Sequence, residues 1–199
     1  PGNIIFMKPT QNRSCTAFLN QKRIASGNVF DVALRVKREL LKGRNETVLI
    51  FDDETSAQVE LDLRGSPEAV LKRLEETTAV VEKAPGPGRP KLGVVSREIS
   101  LLPRHWDWLA LQPGGASVTL RKLVEEAKKK NEPQDKVRQA QESTYKFMTV
   151  MAGNLPHYEE ALRALYAKDR PLFGSLIASW PKDIREYIQR LSRAAFRRS

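Results

Sequence analysis

A chain of 199 residues is long enough for one sizeable hydrophobic core or two small ones. Its 40% hydrophobic and 29% charged residues exclude a disordered protein, and no apolar run reaches the length of a membrane span. The single cysteine, Cys15, excludes an internal disulfide bond and fits a reducing compartment. We therefore predict a soluble globular protein of the cytoplasm.

Residues 1–14 contain no clear element and are predicted to form a flexible lead-in. The pattern of residues 15–83 then predicts a small α+β domain, whose elements follow the order ββαββα. The four strands of this domain are predicted at residues 15–19, 23–26, 47–51 and 58–63.

Capping residues mark the two helices of this domain. Asn28 precedes a run of apolar residues at helical spacing, and Gly43 is typical of the residue that ends a helix. Ser66 and Pro67 open the second helix, because a capping side chain followed by a first-turn proline is a favoured start. This helix is predicted to end near Thr77.

Three adjacent acids, Asp52, Asp53 and Glu54, lie in the predicted connection at residues 52–57. Carboxylates bind Mg²⁺ or Ca²⁺ when they converge on one point, but the spacing of a calcium-binding loop is absent here. Acidic side chains at the tip of a hairpin need only water. We therefore interpret the triplet as solvated acids and predict no metal site.

Residues 84–93 are rich in alternating proline and glycine, which neither a helix nor a central strand tolerates. A linker and a domain boundary are therefore predicted there. Within the linker, the sequence Gly-Arg-Pro-Lys at residues 88–91 resembles the core of the AT-hook, which lies along the minor groove of AT-rich DNA. The resemblance implies that Arg89 and Lys91 contact DNA.

The segment 94–130 contains three predicted elements. They are a strand at residues 94–102, a helix that begins at Pro103, and a second helix that residues 113–115 separate from the first. Ser117 or Thr119 is placed to cap the second helix. Trp106 and Trp108 cannot both face one core, so we expect one to be buried and the other to contact a second chain or the C-terminal helices. So short a segment cannot bury its own apolar side chains, and a partner must cover it.

This segment resembles the ribbon-helix-helix DNA-binding module of bacterial repressors. The resemblance lies in the strand ending Leu-Leu-Pro-Arg at residues 101–104 and in the helix sequence at residues 119–127. In that family two chains pair one strand each into a ribbon, which enters the major groove, while the second helix points its N-terminus at a phosphate. The resemblance implies a homodimer that binds double-stranded DNA.

The DNA-binding residues that follow from these resemblances are Arg89, Lys91, Arg97, Arg104, Thr119, Arg121 and Lys122. Arg97 lies on the strand face that enters the groove, where it can reach base edges. Arg121 and Lys122 are predicted in the first turn of the second helix, where free backbone N–H groups help to hold a phosphate.

The whole chain also resembles an uncharacterised bacterial family of unknown function. The residues that carry the resemblance are GRPKLGVV…LLPRHWDWL…QPGGAS within residues 88–117 and LP…EEA.RAL…WP.D within residues 155–183, where a dot marks any residue. The resemblance implies a bacterial origin and brings no activity with it.

The C-terminal region, residues 131–199, is predicted to be helical and to end in a basic tail. Helices are expected at residues 134–151, from residue 155 onward, at residues 171–179 and at residues 181–193. The apolar side chains predicted to close a small helical bundle are Phe173, Leu176, Ile177, Ile184, Tyr187, Ile188 and Leu191.

The net charge of +10 is concentrated in two places. Residues 89–130 hold nine Lys and Arg against four Asp and Glu, and residues 181–199 hold six against two. This uneven distribution favours a polyanionic partner, and a merely solvated basic face is the simple alternative. We predict a sequence-specific or nucleoid-type protein that binds double-stranded DNA as a homodimer and acts as a transcriptional regulator. A protein-interaction adaptor or RNA-binding module that uses the same basic segment is the alternative.

No catalytic, cofactor or metal motif is present in the sequence. His105 and His157 have no cysteine or acid at metal-ligand spacing, and no phosphate-binding loop or nucleophile elbow occurs. We therefore predict that the protein is not an enzyme and carries no cofactor.

Overall fold

The computed structural model describes residues 13–42, 47–79 and 97–197, in which a small antiparallel sheet is combined with seven helices. The fold is therefore α+β, as predicted, and mostly helical. In chain order the elements are β1 (Ser14–Leu19), β2 (Lys22–Asn28), α1 (Val29–Leu40), β3 (Val48–Asp52), α2 (Pro67–Ala79), α3 (Pro103–Ala110), α4 (Gly115–Met151), α5 (Tyr158–Tyr166), α6 (Arg170–Leu176) and α7 (Lys182–Leu191).

The sheet has three strands in the order β2-β1-β3, and both pairs are antiparallel. Three of the four predicted strands are confirmed. Asn20 adopts a positive φ of 52° in the turn between β1 and β2, a conformation that asparagine tolerates better than most residues. Because β1 lies between two neighbours and is covered on both faces, Cys15 to Leu19 are all buried.

The predicted caps of the first two helices are confirmed. The Asn28 side chain accepts a hydrogen bond from the backbone N–H of Asp31 at 3.0 Å, which satisfies one free donor at the start of α1. Ser66 accepts in the same way from Ala69 at 3.3 Å at the start of α2. The predicted end at Gly43 lies outside the described residues.

The predicted fourth strand at residues 58–63 is wrong. The chain turns back after β3, but only Gln58 forms a bridge, to Phe51, and the N–H of Val59 bonds the Ile50 carbonyl at 2.8 Å. Beyond that point the backbone leaves the sheet, although Leu61 and Leu63 still pack against α1 and α2. The alternating apolar pattern of residues 58–63 therefore indicates which side chains are buried and does not indicate strand pairing.

The two faces of the sheet are covered by different parts of the chain. Alternate side chains of β1 and β3, such as Ala17 and Ile50, pack against α1 on one face. Phe18 and Phe51 point to the other face, where they join the buried side chains of α4, α5, α6 and α7. The predicted C-terminal helices thus close over the sheet, and six of the seven apolar residues predicted for their bundle are buried there.

Contacts divide the chain into two compact units. Residues 1–83 and 136–199 form one unit, which we call the sheet unit, and residues 84–135 form the other, which we call the middle segment. The predicted layout, with a separate N-terminal domain and C-terminal bundle, is not confirmed, because Phe18 and Phe51 share one core with the C-terminal helices. The predicted linker and most of the predicted lead-in lie outside the described residues.

The helix predicted at residues 134–151 is not a separate element, because α4 runs from Gly115 to Met151 and continues through Pro133. A proline inside a helix removes one backbone hydrogen bond. Residues 121–134 are all solvent-exposed, so water can donate to the backbone carbonyl that the proline leaves without an N–H partner. The start of α4 also differs from the prediction, since the helix begins at Gly115 and Ser117 and Thr119 lie inside it.

The predicted strand at residues 94–102 is not formed over its described part, residues 97–102. These residues pair neither with each other nor with the sheet, so this part does not extend the sheet. A ribbon strand has its partner on a second chain and has none within one chain. Residues 94–96 lie outside the described residues. Among the helices of the described ranges, none is long and apolar enough to cross a bilayer.

The core shared by the sheet and the C-terminal helices should dominate stability. Phe147 of α4 is fully buried, and its ring lies 4.9 Å from that of Phe51 and 5.4 Å from that of Phe18. We expect Phe147→Ala to lower the free energy of unfolding by about 3–5 kcal/mol, measured by urea denaturation. Tyr145→Ala on the exposed side of the same helix should cost less than about 1 kcal/mol. Equal losses in the two variants would contradict the shared core.

Candidate functional site

The structure describes five of the seven predicted DNA-binding residues, and all five belong to the middle segment. Arg97 and Arg104 are solvent-exposed, the first in the extended stretch before α3 and the second within α3. Thr119, Arg121 and Lys122 lie on α4. Arg89 and Lys91 lie outside the described residues.

The predicted phosphate clamp at the start of the second helix is wrong in its geometry. Because α4 begins at Gly115, Arg121 and Lys122 lie in its second turn, away from the free N–H groups. The Thr119 hydroxyl donates to the Gly115 carbonyl at 3.1 Å and does not cap the helix. Arg121 Nε donates to the Ser117 carbonyl at 3.0 Å. Any phosphate contact of these side chains therefore depends on their own charge.

The middle segment exposes many large apolar side chains. Their exposed fractions are 55% for Ile99, 48% for Leu102, 43% for Trp106, 48% for Trp108, 83% for Leu111, 43% for Leu123 and 61% for Val124. The prediction that one of the two tryptophans is buried is therefore wrong. Within the described residues, none of the hydrophobic core clusters contains a residue of this segment. An exposed apolar surface of this extent is typical of an interaction site.

A polar cluster that the sequence did not predict surrounds Asp53 in the sheet unit. Asp53 follows β3 on the face that carries Phe51, so its carboxylate points toward α7. Its Oδ1 accepts hydrogen bonds from Thr16 at 2.7 Å, Tyr187 at 2.9 Å and Arg190 at 2.6 Å. Its Oδ2 accepts from Ser14 at 2.5 Å. We call these five residues the Asp53 cluster.

The interpretation of the acidic triplet as solvated acids is therefore wrong for two of its members. Asp53 holds the cluster together, and Asp52 is 3% exposed. Asp52 Oδ1 accepts from the backbone N–H groups of Glu54 and Thr55 and so stabilises the turn after β3. Within the described part of the chain, no group of three or more His, Cys, Asp and Glu side chains is placed to hold a metal ion.

The environment of the cluster shifts the pKa values of its members. Burial raises the pKa of Asp53, but the hydrogen bonds from Ser14 and Thr16 and the charge of Arg190 outweigh it, so the net pKa is below the usual value of 3.8. Burial, and then the charge of Asp53, raise the pKa of Tyr187 well above its usual value. Asp53 is therefore ionised and Tyr187 neutral at pH 7, which is the pairing that their hydrogen bond requires.

The cysteine beside this cluster is not a candidate nucleophile. Cys15 is 2% exposed. Burial, followed by the charges of Asp52 and Asp53, raises the pKa of its thiol to about 12. The reactive thiolate is thus scarce at neutral pH, so the residue serves as core packing.

The sequence contains part of the information needed to predict the Asp53 cluster. Alternation along β1 and β3 places Thr16 and Asp53 on the same face as Phe18 and Phe51. Tyr187 and Arg190 lie three residues apart on one helical face. No pattern in the sequence indicates that α7 covers that face of the sheet, so the two halves of the cluster could not be joined.

Replacement of Asp53 should test the cluster through its pH dependence. At pH 7 we expect Asp53→Asn to lower the free energy of unfolding by about 1–3 kcal/mol, because it removes charged hydrogen bonds. The native pKa is lowered, so this contribution is present above the unfolded pKa near 3.8 and is lost as the pH falls through the native pKa. The gap between wild type and variant in urea denaturation should therefore narrow at low pH.

The matched control is Glu159→Gln, which neutralises an exposed acid on α5 and should change stability by less than about 0.5 kcal/mol. A gap of the same size at pH 7 and pH 3 would show that the Asp53 charge does not stabilise the fold.

Comparison with known proteins gives one family and no individual relative. No curated protein and no solved structure matches the chain. The sequence profile of one family matches residues 14–192, which includes both compact units. This confirms the family that the residues of the middle segment and the C-terminal helices indicated. The chain belongs to DUF2239, a family described as an uncharacterized protein conserved in bacteria.

Proposed function

We propose that the protein binds double-stranded DNA as a homodimer through its middle segment and acts as a transcriptional regulator, without catalysis. One observation carries the proposal: the same segment exposes large apolar side chains and cationic side chains. Apolar surface of this extent needs a protein partner, and the cations suit a polyanion. In this proposal the protein acts in the cytoplasm on the nucleoid.

A second copy of the chain is the partner that the sequence favours. The ribbon-helix-helix resemblance pairs residues 94–102 with the same residues of another chain, and such a strand has nothing to pair with in one chain alone. Ile99 and Leu102 of that stretch are about half exposed, as are Leu123 and Val124 of α4. Dimerisation would cover both sets with matching apolar surface.

The cations of α4 support a phosphate-binding surface. Arg121, Lys122, Lys128 and Lys129 are all solvent-exposed. Residues seven apart lie on the same side of a helix, so Arg121 aligns with Lys128 and Lys122 with Lys129, about 10 Å further along the axis. Such rows contact phosphates through charge and need no helix N-terminus.

The remaining predicted contacts have distinct roles in this proposal. Arg97 and Arg104 flank the start of α3, where they would lie beside the ribbon and reach base edges and phosphates. Arg89 and Lys91 would enter the minor groove as an arm. These roles rest on the family resemblances.

Salt dependence tests whether α4 contacts phosphates. We expect the affinity for a random DNA duplex, measured by fluorescence anisotropy, to fall linearly with salt on logarithmic axes, because bound phosphates release counterions. The double variant Arg121→Ala, Lys122→Ala should weaken binding to all duplexes and reduce the salt slope by about two, one for each lost contact.

Lys72→Ala, which removes an exposed cation from α2 in the sheet unit, should leave both affinity and slope unchanged. An affinity for duplex that does not depend on salt, or a double variant with the wild-type slope, would contradict DNA binding by α4. Absence of duplex binding together with intact self-association would favour the adaptor alternative, since the apolar surface alone would then be in use.

A further inference from the structure

An open cleft of about 570 Å³ lies in the sheet unit, on the solvent side of the Asp53 cluster. It is lined by the first residue of β1, the turn after β3, one side of α4 and the chain around the end of α7. Its volume falls within the range of small-molecule sites. The proposed DNA-binding function does not use this cleft.

Arg190 is held in a fixed position at the wall of the cleft. Its Nη2 donates to Asp53 Oδ1 at 2.6 Å, and its guanidinium carbon lies 4.5 Å from the centre of the Tyr187 ring. The side chain is nevertheless 47% exposed. Within the described part of the chain, its Nε and Nη1 groups make no hydrogen bond. Arg190 therefore presents preorganised donors, which lose little entropy when a ligand binds.

Asp53 does not compete for those donors or repel an anion strongly. Asp53 Oδ1 accepts from Thr16, Tyr187 and Arg190 and Oδ2 accepts from Ser14, so both carboxylate oxygens already have donors. Its charge is balanced by that of Arg190. The other charged residues of the cleft are two cations, Lys136 and Arg197, and one acid, Glu54 at the exposed turn. Arg190 and Arg197 therefore offer cationic donors to an anion in the cleft.

We infer that this cleft binds a small molecule through an oxyanion group, a phosphate or a carboxylate. Arg190 donates a charge-assisted hydrogen bond to an oxygen of that group from Nε or Nη1. Arg197 adds a second cation on a neighbouring wall. The Gln139 amide and the Glu54 carboxylate, which line the same cleft, contact polar groups on the rest of the ligand.

Isothermal titration calorimetry of the full chain with inorganic pyrophosphate and, separately, with citrate tests this inference at constant ionic strength. We expect saturable binding of at least one probe, and the stronger of the two identifies phosphate or carboxylate as the preferred group. Arg190→Lys keeps the charge but loses the planar guanidinium that Asp53 and the Tyr187 ring hold in place, and should weaken binding about tenfold or more.

Two further variants separate binding from folding and from the middle segment. Arg197→Gln changes an exposed side chain with no hydrogen bond in the described part of the chain, so the fold should persist while affinity falls. The double variant Arg121→Ala, Lys122→Ala should bind the probe as wild type does, because neither residue lines the cleft.

Three results would overturn the inference. The first is no saturable binding of either probe up to about 10 mM, a concentration that would reveal even weak complexes. The second is unchanged affinity in both Arg190→Lys and Arg197→Gln. The third is loss of probe binding only in the Arg121, Lys122 variant. Each is independent of whether the protein binds duplex DNA.

Discussion

Phe18 lies between the rings of Phe51, Phe147 and Tyr187, at centroid distances of 6.1, 5.4 and 5.3 Å. These four rings come from β1, β3, α4 and α7, so they join parts of the chain that are more than 100 residues apart. Edge-on and tilted contacts of this kind add stability beyond the burial of area. The position of α7 on the sheet follows from them, and with it the meeting of Asp53 and Arg190.

The edges of this aromatic core are fixed by polar contacts. Asp183 at the start of α7 accepts from the Arg23 backbone N–H at 2.8 Å, and Arg190 near its end reaches Asp53. The helix is thus attached to β2 at one end and to the turn after β3 at the other. The cleft beside Arg190 depends on the same attachment, since its walls come from the first strand and the last helix.

Local signals in the sequence were sufficient wherever the structure depends on neighbouring residues. The Asn28 and Ser66 caps and the strands β1 to β3 all follow from short-range chemistry. Errors occurred where tertiary context decides. Pro133 does not end α4, because the helix there is exposed to water on all sides.

Residues 58–63 and the Asp53 cluster also show that local sequence patterns do not determine tertiary contacts. The apolar alternation of residues 58–63 correctly indicates burial but cannot tell a strand from an extended chain packed on α1 and α2. Asp53 looks like a surface acid in the sequence, because no local pattern shows that α7 covers it. The two candidate sites therefore differ in origin: the basic and apolar residues of the middle segment lie close together in the sequence, and the residues that line the cleft do not.

The proposed function depends on the exposed apolar surface of the middle segment being an interface between two chains. Sedimentation equilibrium at micromolar concentration measures this directly: we expect a mass near twice that of the 22.5 kDa chain. Leu123→Glu, Val124→Glu should yield the single-chain mass, while Val150→Glu, at an equally exposed position further along α4, should remain dimeric. A wild-type protein with the mass of one chain would contradict the homodimer and, with it, the proposed mode of DNA binding.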